Sequence, residues 1–113
     1  MALPSPLSDP LVELIARRFR AMGEPMRIRV LDRLRDGELS VGELAEQLET
    51  SQQNVSKHLA VLTDAGILAR RKDGNRHCYS IADASVLSLC EQVCGGLQQQ
   101  LTELQALLDG VRP

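Results

Sequence analysis

The chain has very few aromatic residues: its 113 residues include no tryptophan, one phenylalanine and one tyrosine. Its core must therefore be packed from leucine, isoleucine, valine and alanine. A chain of this length forms one small domain, and small cores of this kind often gain stability by oligomerising. We therefore expect a single domain that has a second copy of the chain as a partner.

Signals for secretion, membrane insertion and catalysis are also missing. Residues Met1–Pro6 lack the basic and apolar segments of a signal peptide, and no apolar run approaches the roughly 18 residues of a membrane span. An odd number of cysteines, three, does not fit a secreted disulfide framework. There is no phosphate-binding glycine loop and no nucleophile–base–orienter set. The sequence predicts a cytoplasmic protein with reduced thiols, no membrane partner and no enzymatic activity.

The net charge of −2 argues against nucleic-acid binding, but the charges are unevenly distributed. Residues 51–82 contain five basic and two acidic side chains, whereas residues 83–113 contain one basic and four acidic side chains. A local basic patch is enough for phosphate contacts, because these act within about 10 Å at physiological salt. The distribution therefore predicts one nucleic-acid-binding surface.

Residues 51–62 predict a short helix with two unlike sides. Val55, Leu59 and Leu62 recur at helical spacing and would face a core. The opposite side carries slim polar groups that can hydrogen-bond to base edges and phosphates. These are Gln52, Gln53, Ser56 and Lys57, to which Ser51 and His58 are added as helpers. For His58, a packing role inside the domain is equally compatible with the sequence.

The boundaries of this helix and its neighbour predict a helix-turn-helix. Ser51 stands where an N-cap belongs, and Gly66 stands where a C′ glycine belongs. Upstream, Ser40 and Glu43 form a capping box that opens another short helix. Residues 49–51 would join the two helices, and the second would enter the major groove of DNA.

Two further helices are predicted before this motif. The first begins after the cap Ser8 and ends at Gly23, and the second begins at Pro25 and ends at residues 36–37. Residues 1–8 are predicted to be a flexible tail, and residues 9–113 a DNA-binding and dimerisation domain. The first helix carries an apolar stripe of Leu11, Leu14, Ile15, Phe19 and Met22, and the residues of the second helix expected to face inward are Ile28, Val30, Leu31 and Leu34.

A basic β-hairpin is predicted directly after the helix-turn-helix. Strands over residues 67–72 and 77–81 flank a turn at residues 73–75. The alternative is an ordinary surface hairpin, but a basic hairpin at this position is typical of a wing that lies along the DNA backbone. The residues expected to contact phosphates are Arg70, Arg71, Lys72, Asn75 and Arg76.

The last predicted helix, capped by Asp83, carries an apolar stripe that resembles a coiled-coil seam. A small domain of this kind offers no partner long enough to cover such a stripe. We therefore expect a mainly α fold with a small β-hairpin wing, a winged helix-turn-helix that forms a homodimer through its first and last helices. The stripe consists of Val86, Cys90, Val93, Leu97, Leu101, Leu104 and Leu108.

Taken together, these motifs resemble the ArsR/SmtB family of bacterial winged-helix repressors, from about Phe19 to Leu108. The resemblance implies a homodimer that binds an inverted-repeat operator in double-stranded DNA and represses transcription until an inducer, often a metal ion, releases it. The segments that carry the resemblance are residues 19–27, 44–45, 51–59, 65–68, 71–75 and 79–81.

Two ligand sets familiar from this family are missing from the chain. The Cys-x-Cys pair is replaced by Ser40-Val41-Gly42, and the Asp-x-His of the last helix by Asp83-Ala84-Ser85, with no histidine after it. A sensor that binds zinc, nickel or cobalt through imidazole and carboxylate groups is therefore not expected.

The cysteines supply the remaining candidate sensing site. Cys90 and Cys94 are one helical turn apart on one face, and Cys78 on the preceding strand is a candidate third ligand. Three thiolates suit As(III), Sb(III), Hg(II) or Cd(II) better than tetrahedral zinc. There are two alternatives: thiol oxidation is the signal, or the cysteines serve only as small apolar core residues.

The function of the whole domain also has an alternative from a different class. The winged helix could be a protein-interaction module that does not bind an operator.

Overall fold

The computed structural model describes residues 2–110, which form five helices and a three-stranded antiparallel sheet. The chain divides after Asp83 into two compact units. The first unit contains α1 (Asp9–Met22), α2 (Pro25–Leu34), β1 (Leu39–Ser40), α3 (Val41–Gln47), α4 (Gln52–Asp64), β2 (Leu68–Asp73) and β3 (Arg76–Ile81), and the second contains α5 (Ser85–Leu108). The mainly helical fold with a hairpin wing is confirmed.

Three serines, Ser8, Ser40 and Ser51, are the N-caps of α1, α3 and α4, as the sequence predicts. Ser8 Oγ accepts a hydrogen bond from the Leu11 N–H at 3.4 Å at the start of α1. The capping box of α3 is complete, because Ser40 Oγ accepts from the Glu43 N–H and Glu43 Oε1 accepts from the Ser40 N–H. These side chains satisfy backbone groups that a helix start leaves without a partner.

The core of the first unit is aliphatic. Val55, Leu59 and Leu62 of α4 are fully buried, and Gly66, with φ +79°, ends the turn that follows this helix. The predicted inward side of α4 is confirmed. The other fully buried large side chains of this unit are Val30, Leu31, Leu44 and Ile67.

One residue that the sequence predicts to face inward is instead exposed, since Ile28 of α2 is 48% exposed. Two residues of the apolar stripe of α1, Leu14 and Phe19, are 63% and 52% exposed in the single chain. A helix on the surface of a small domain buries only a narrow side, and in α2 that side is formed by Val30, Leu31 and Leu34.

The prediction that Asp83 caps the last helix is also wrong. The helix begins two residues later, at Ser85, and the N-cap position is occupied by Ala84, with no side-chain capping hydrogen bond. The Asp83 carboxylate instead pairs with the guanidinium of Arg18 on α1.

The wing is a regular hairpin whose register runs from Leu68 opposite Ile81 to Asp73 opposite Arg76. Its loop is therefore the two residues Gly74 and Asn75, one shorter than predicted. Gly74 has φ +63°, and glycine at the first position of a two-residue loop suits a tight hairpin turn.

The strand β1 is not indicated by any pattern in the sequence. This two-residue strand pairs with β3, placing Leu39 opposite Tyr79 and Ser40 opposite Cys78. Because Ser40 is also the N-cap of α3, one residue joins the wing sheet to the helix-turn-helix.

In the second unit, α5 runs without interruption through Gly95 and Gly96. Most of its predicted apolar stripe is exposed in the single chain, since Val93, Leu97, Leu101, Leu104 and Leu108 are 53–73% exposed. None of the helices among residues 2–110 combines the length and the apolar character that crossing a bilayer requires.

A pair of valine substitutions on α4 tests this packing. Val55→Ala should lower the free energy of unfolding by about 2 kcal/mol, because it shortens a buried side chain by two methyl-sized groups and leaves a cavity. Val61→Ala, at a position that is 37% exposed on the same helix, should cost less than half as much. Urea denaturation followed by circular dichroism measures both, and equal losses would contradict the burial described here.

Candidate DNA-binding surface

The exposed side of α4 is polar and lies opposite its buried stripe. Gln52, Gln53, Ser56 and Lys57 are all exposed, whereas Val55 between them is buried. The predicted reading side chains therefore share one accessible face. Packing of α3 against α4 fixes the direction in which this face points.

The start of α4 is held by two local hydrogen bonds. Ser51 Oγ accepts from the Asn54 N–H at 3.0 Å, and Asn54 Nδ2 donates to Thr50 Oγ1 at 3.1 Å. Glu49, in the turn, has φ +52°, a conformation that few residues other than glycine adopt. The Ser51 side chain is exposed but serves the helix end as its N-cap.

The structure does not place His58 on the reading face. Its side chain is buried, with 7% of the residue exposed. His58 Nδ1 lies 3.2 Å from Arg27 Nη1 and 3.6 Å from Glu24 Oε2. The inclusion of His58 among the DNA-binding residues is therefore corrected, because its position on α4 turns the ring toward α2.

Arg27 connects three helices through its guanidinium, a role that no sequence pattern indicates. Besides approaching His58, its guanidinium donates to the main-chain oxygens of Ala21, at 2.5 Å, and Arg20, at 3.2 Å, near the end of α1. Carbonyl groups at a helix C-terminus attract a cation. One arginine thus links α1, α2 and α4.

The predicted phosphate-binding residues are all exposed on the wing. Arg70, Arg71 and Lys72 lie on β2, and Asn75 and Arg76 lie at or beside the hairpin loop. In a strand, successive side chains point to opposite faces, so Arg71 faces away from Arg70 and Lys72.

A cleft of about 400 Å³ lies between the reading helix and the wing tip. Gln52 and Ser56 line it on one side, and Asn75 and Arg76 line it on the other. Two residues predicted for base contacts and two predicted for phosphate contacts therefore meet at this cleft.

Two wing arginines are paired with carboxylates, which the sequence analysis did not predict. Arg71 donates two hydrogen bonds to Glu38, from Nε to Oε2 at 3.1 Å and from Nη2 to Oε1 at 2.6 Å. Arg76 Nη2 donates to Glu43 Oε1 at 2.8 Å. The pairs join residues 33 positions apart, so no local sequence pattern indicates them.

These contacts shift the pKa values of both carboxyl groups. The hydrogen bonds from Arg71 lower the pKa of Glu38 below its ordinary value of 4.5, and Glu38 in turn raises the pKa of Arg71. The pKa of Glu43 is lowered mainly by the backbone N–H of Ser40, with a smaller effect from Arg76. Both carboxylates therefore stay charged at neutral pH.

The cysteines fall into two environments. Cys78 on β3 is buried, and it lies opposite Ser40 on one side and Arg71 on the other. Cys90 is partly buried and Cys94 is exposed, one turn apart on α5. Within residues 2–110, no group of three or more His, Cys, Asp or Glu side chains is arranged to hold a metal ion.

Comparison with known proteins places these features in context. A sequence profile described as a helix-turn-helix domain matches residues 22–71. The uncharacterized HTH-type transcriptional regulator Rv0081 of Mycobacterium tuberculosis is 37% identical over 106 residues, which cover 93% of each chain. Its crystal structure superposes with a TM-score of 0.77, covering 88% of this chain and all of that one.

Two further proteins are similar over shorter or more divergent stretches. The probable mercury resistance operon repressor of Streptomyces lividans is 39% identical over 74 residues, 66% of this chain and 59% of the relative. The solution structure of Mb0332 from Mycobacterium bovis, a homodimeric winged helix-turn-helix domain described as a possible ArsR-family regulator, has a TM-score of 0.75 and 27% identity. That similarity covers 88% of this chain and 95% of Mb0332.

The Glu38–Arg71 pair predicts a specific pH dependence. Because the folded-state pKa of Glu38 is lowered, the pair stabilises the fold above the unfolded-state value of about 4.5, and this contribution is lost as the pH falls through the folded-state pKa. Arg71→Ala should therefore raise the pKa of Glu38 toward 4.5 in a carboxyl-carbon NMR titration.

The matched control for this titration is Arg70→Ala. It removes the same charge from the adjacent residue, whose side chain lies on the other face of the strand. Arg70→Ala should leave the pKa of Glu38 low, and equal effects of the two substitutions would contradict a direct pair.

Proposed function

Because the chain belongs to the ArsR/SmtB family of helix-turn-helix transcriptional regulators, we propose that it is a repressor that binds an inverted-repeat operator as a homodimer in the cytoplasm. The observation that carries this proposal is the exposed polar side of α4 next to an exposed basic wing. Both surfaces are presented by one unit, in which Val55, Leu59 and Leu62 are buried on the opposite side of α4.

The side chains on α4 have the chemistry of base reading. A glutamine amide can donate to and accept from the edge of an adenine, and Ser56 can contact several bases. Lys57 and the wing cations carry charge suited to phosphates, which fix the position of the protein on the duplex. We assign base contacts to Gln52, Gln53 and Ser56, and backbone contacts to Lys57 and the wing, with Ser51 at the helix end.

The exposed stripe of α5 supports dimerisation through a second copy of the chain. Leu97, Leu101 and Leu104 recur at helical spacing, and each is more than half exposed in the single chain. Leu14 and Phe19 of α1 add exposed apolar area. A symmetric dimer would present two reading helices about 34 Å apart, one turn of DNA, and the related Mb0332 domain is homodimeric.

The proposed inducer is a soft ion that binds the thiols. Cys90 and Cys94 offer two sulfur ligands on one helical turn, and exposure of Cys94 gives an ion access to them. The candidate ions are As(III), Sb(III), Hg(II) and Cd(II), held by these two thiolates. The similarity to a mercury resistance repressor supports this chemistry. Because the pair lies along the stripe assigned to the dimer, bound metal would alter the dimer and release DNA.

Substitution of one glutamine tests the reading role. The probe is a duplex selected by the wild-type protein from a randomised library, compared with a scrambled duplex of the same composition. Gln53→Ala should weaken binding to the selected duplex by about 1–3 kcal/mol and leave binding to the scrambled duplex unchanged.

The matched control for that experiment is Gln99→Ala. Gln99 is exposed on α5 and lies across the helix from Leu97, so its loss should leave selectivity unchanged. Equal losses on both duplexes with Gln53→Ala would exclude Gln53 from base reading.

Titration of the reduced protein tests the thiol site. Hg(II), Cd(II) and As(III) are added one at a time, while ultraviolet sulfur-to-metal charge-transfer absorption and DNA release are measured together. Cys90→Ser and Cys94→Ser should each abolish both signals, because each substitution leaves one thiolate on the helix. Ion binding that survives loss of both Cys90 and Cys94 would contradict the site.

A further inference from the structure

The basic side chains of the wing differ in whether a carboxylate already lies beside them. Arg71 and Arg76 are paired with Glu38 and Glu43. Among residues 2–110, no acidic side chain lies within ion-pair distance of Arg70 or Lys72. A phosphate that approaches either paired arginine therefore meets a carboxylate that repels it and competes for the same guanidinium, whereas Arg70 and Lys72 have no such neighbour among the described residues.

Both carboxylates belong to residues outside the wing, Glu38 just before β1 and Glu43 in the first turn of α3. Glu43 Oε1 accepts from the Ser40 N–H at 2.9 Å as well as from Arg76. Glu43 is therefore held at the start of α3 by a second hydrogen bond in addition to its pair with Arg76. Glu38 directly precedes β1 and binds Arg71 in a two-point fork, the strongest geometry of this kind of pair.

The wing does not need these pairs to keep its position. Main-chain pairing of β1 with β3 holds the hairpin against the helix-turn-helix. The side chains of Leu68, Cys78 and Tyr79 in the hairpin are also buried. The four charged side chains are 34–58% exposed, and exposed ion pairs contribute little to folding. Their main effect is therefore on the charge that the wing presents to DNA.

We propose that Glu38 and Glu43 are specificity-determining residues that lower the affinity of the wing for DNA of random sequence. This inference rests on the proposed function. Binding to random DNA depends almost entirely on phosphate contacts, so neutralising two cations reduces it strongly. Operator binding also gains base contacts through α4, which hold the duplex against the wing while the arginines exchange carboxylate for phosphate.

Removing either negative charge should tighten binding to random DNA. One additional phosphate contact makes the slope of log K against log salt steeper by about −0.9. Between 1 M and 0.1 M salt, that contact therefore raises the binding affinity by roughly eightfold. Glu38→Gln and Glu43→Gln should each give a gain of this order on a scrambled duplex, with the steeper slope. The gain on the selected duplex should be smaller, so the ratio of the two affinities falls.

The variants are chosen so that folding and net charge are controlled. Glutamine at position 43 keeps an oxygen that can accept from Ser40, so the capping box is retained. Glu46→Gln makes the same charge change at an exposed site on α3, where no ion pair is formed among the described residues. Fluorescence anisotropy over a salt series measures all affinities, and circular dichroism confirms the fold.

Three outcomes would overturn the inference. An equal gain with Glu46→Gln would assign the effect to net charge alone, and a gain that persists with Glu38→Gln in an Arg71→Ala background would exclude the pair. Weaker binding and a flatter slope with Glu38→Gln would instead make the carboxylate a support for the DNA-bound wing. If the wild-type protein selects no duplex from the library, the proposed function fails, and the inference fails with it. If the protein does select a duplex and any of the three outcomes is observed, the inference fails but the proposed function stands.

Discussion

The burial of one side of α4 is the constraint on which the rest of the surface depends. Val55, Leu59 and Leu62 are sealed in the core, and His58 is nearly so. Because a helix turns by 100° per residue, fixing these residues leaves the polar residues between them no direction except outward. The same packing that stabilises the small unit therefore points its amide groups at solvent. Stability and presentation of the reading surface are one property of this helix.

A second coupling joins that helix pair to the wing. Ser40 caps α3 with its side chain and pairs with Cys78 of β3 through its backbone position. The ion pairs Glu38–Arg71 and Glu43–Arg76 bridge the same junction. The wing is thus held by main-chain hydrogen bonds and tuned by side-chain charge. This division matters, because a tuning residue can change the charge offered to DNA without displacing the hairpin.

The second unit has the opposite character. Its one helix is rich in apolar residues, yet the leucines along it are largely exposed in the single chain. Exposed leucines at regular helical spacing are costly in water, and a helix of this kind needs a partner. The two thiols of α5 lie on or beside that stripe, so any ligand they bind would act where the proposed dimer forms.

The sequence by itself determined what depends on neighbours along the chain. Serine caps, glycine at positive φ, the period of Val55, Leu59 and Leu62, and the basic hairpin are local signals, and the structure contains each of them. The identities of the exposed residues on α4 follow from that period, so most of the candidate reading surface was predictable. The family resemblance rested on the same local motifs.

Only the tertiary structure decided which side chains from distant positions meet. It turned His58 inward toward Arg27 and Glu24, left Ile28 exposed, and added β1 as a third strand. It also brought Glu38 to Arg71 and Glu43 to Arg76, each across 33 positions of chain. Sequence periodicity identifies the buried side of a helix but not what packs on it. An ion pair between separate elements depends on the distance between two backbones, which the fold alone sets.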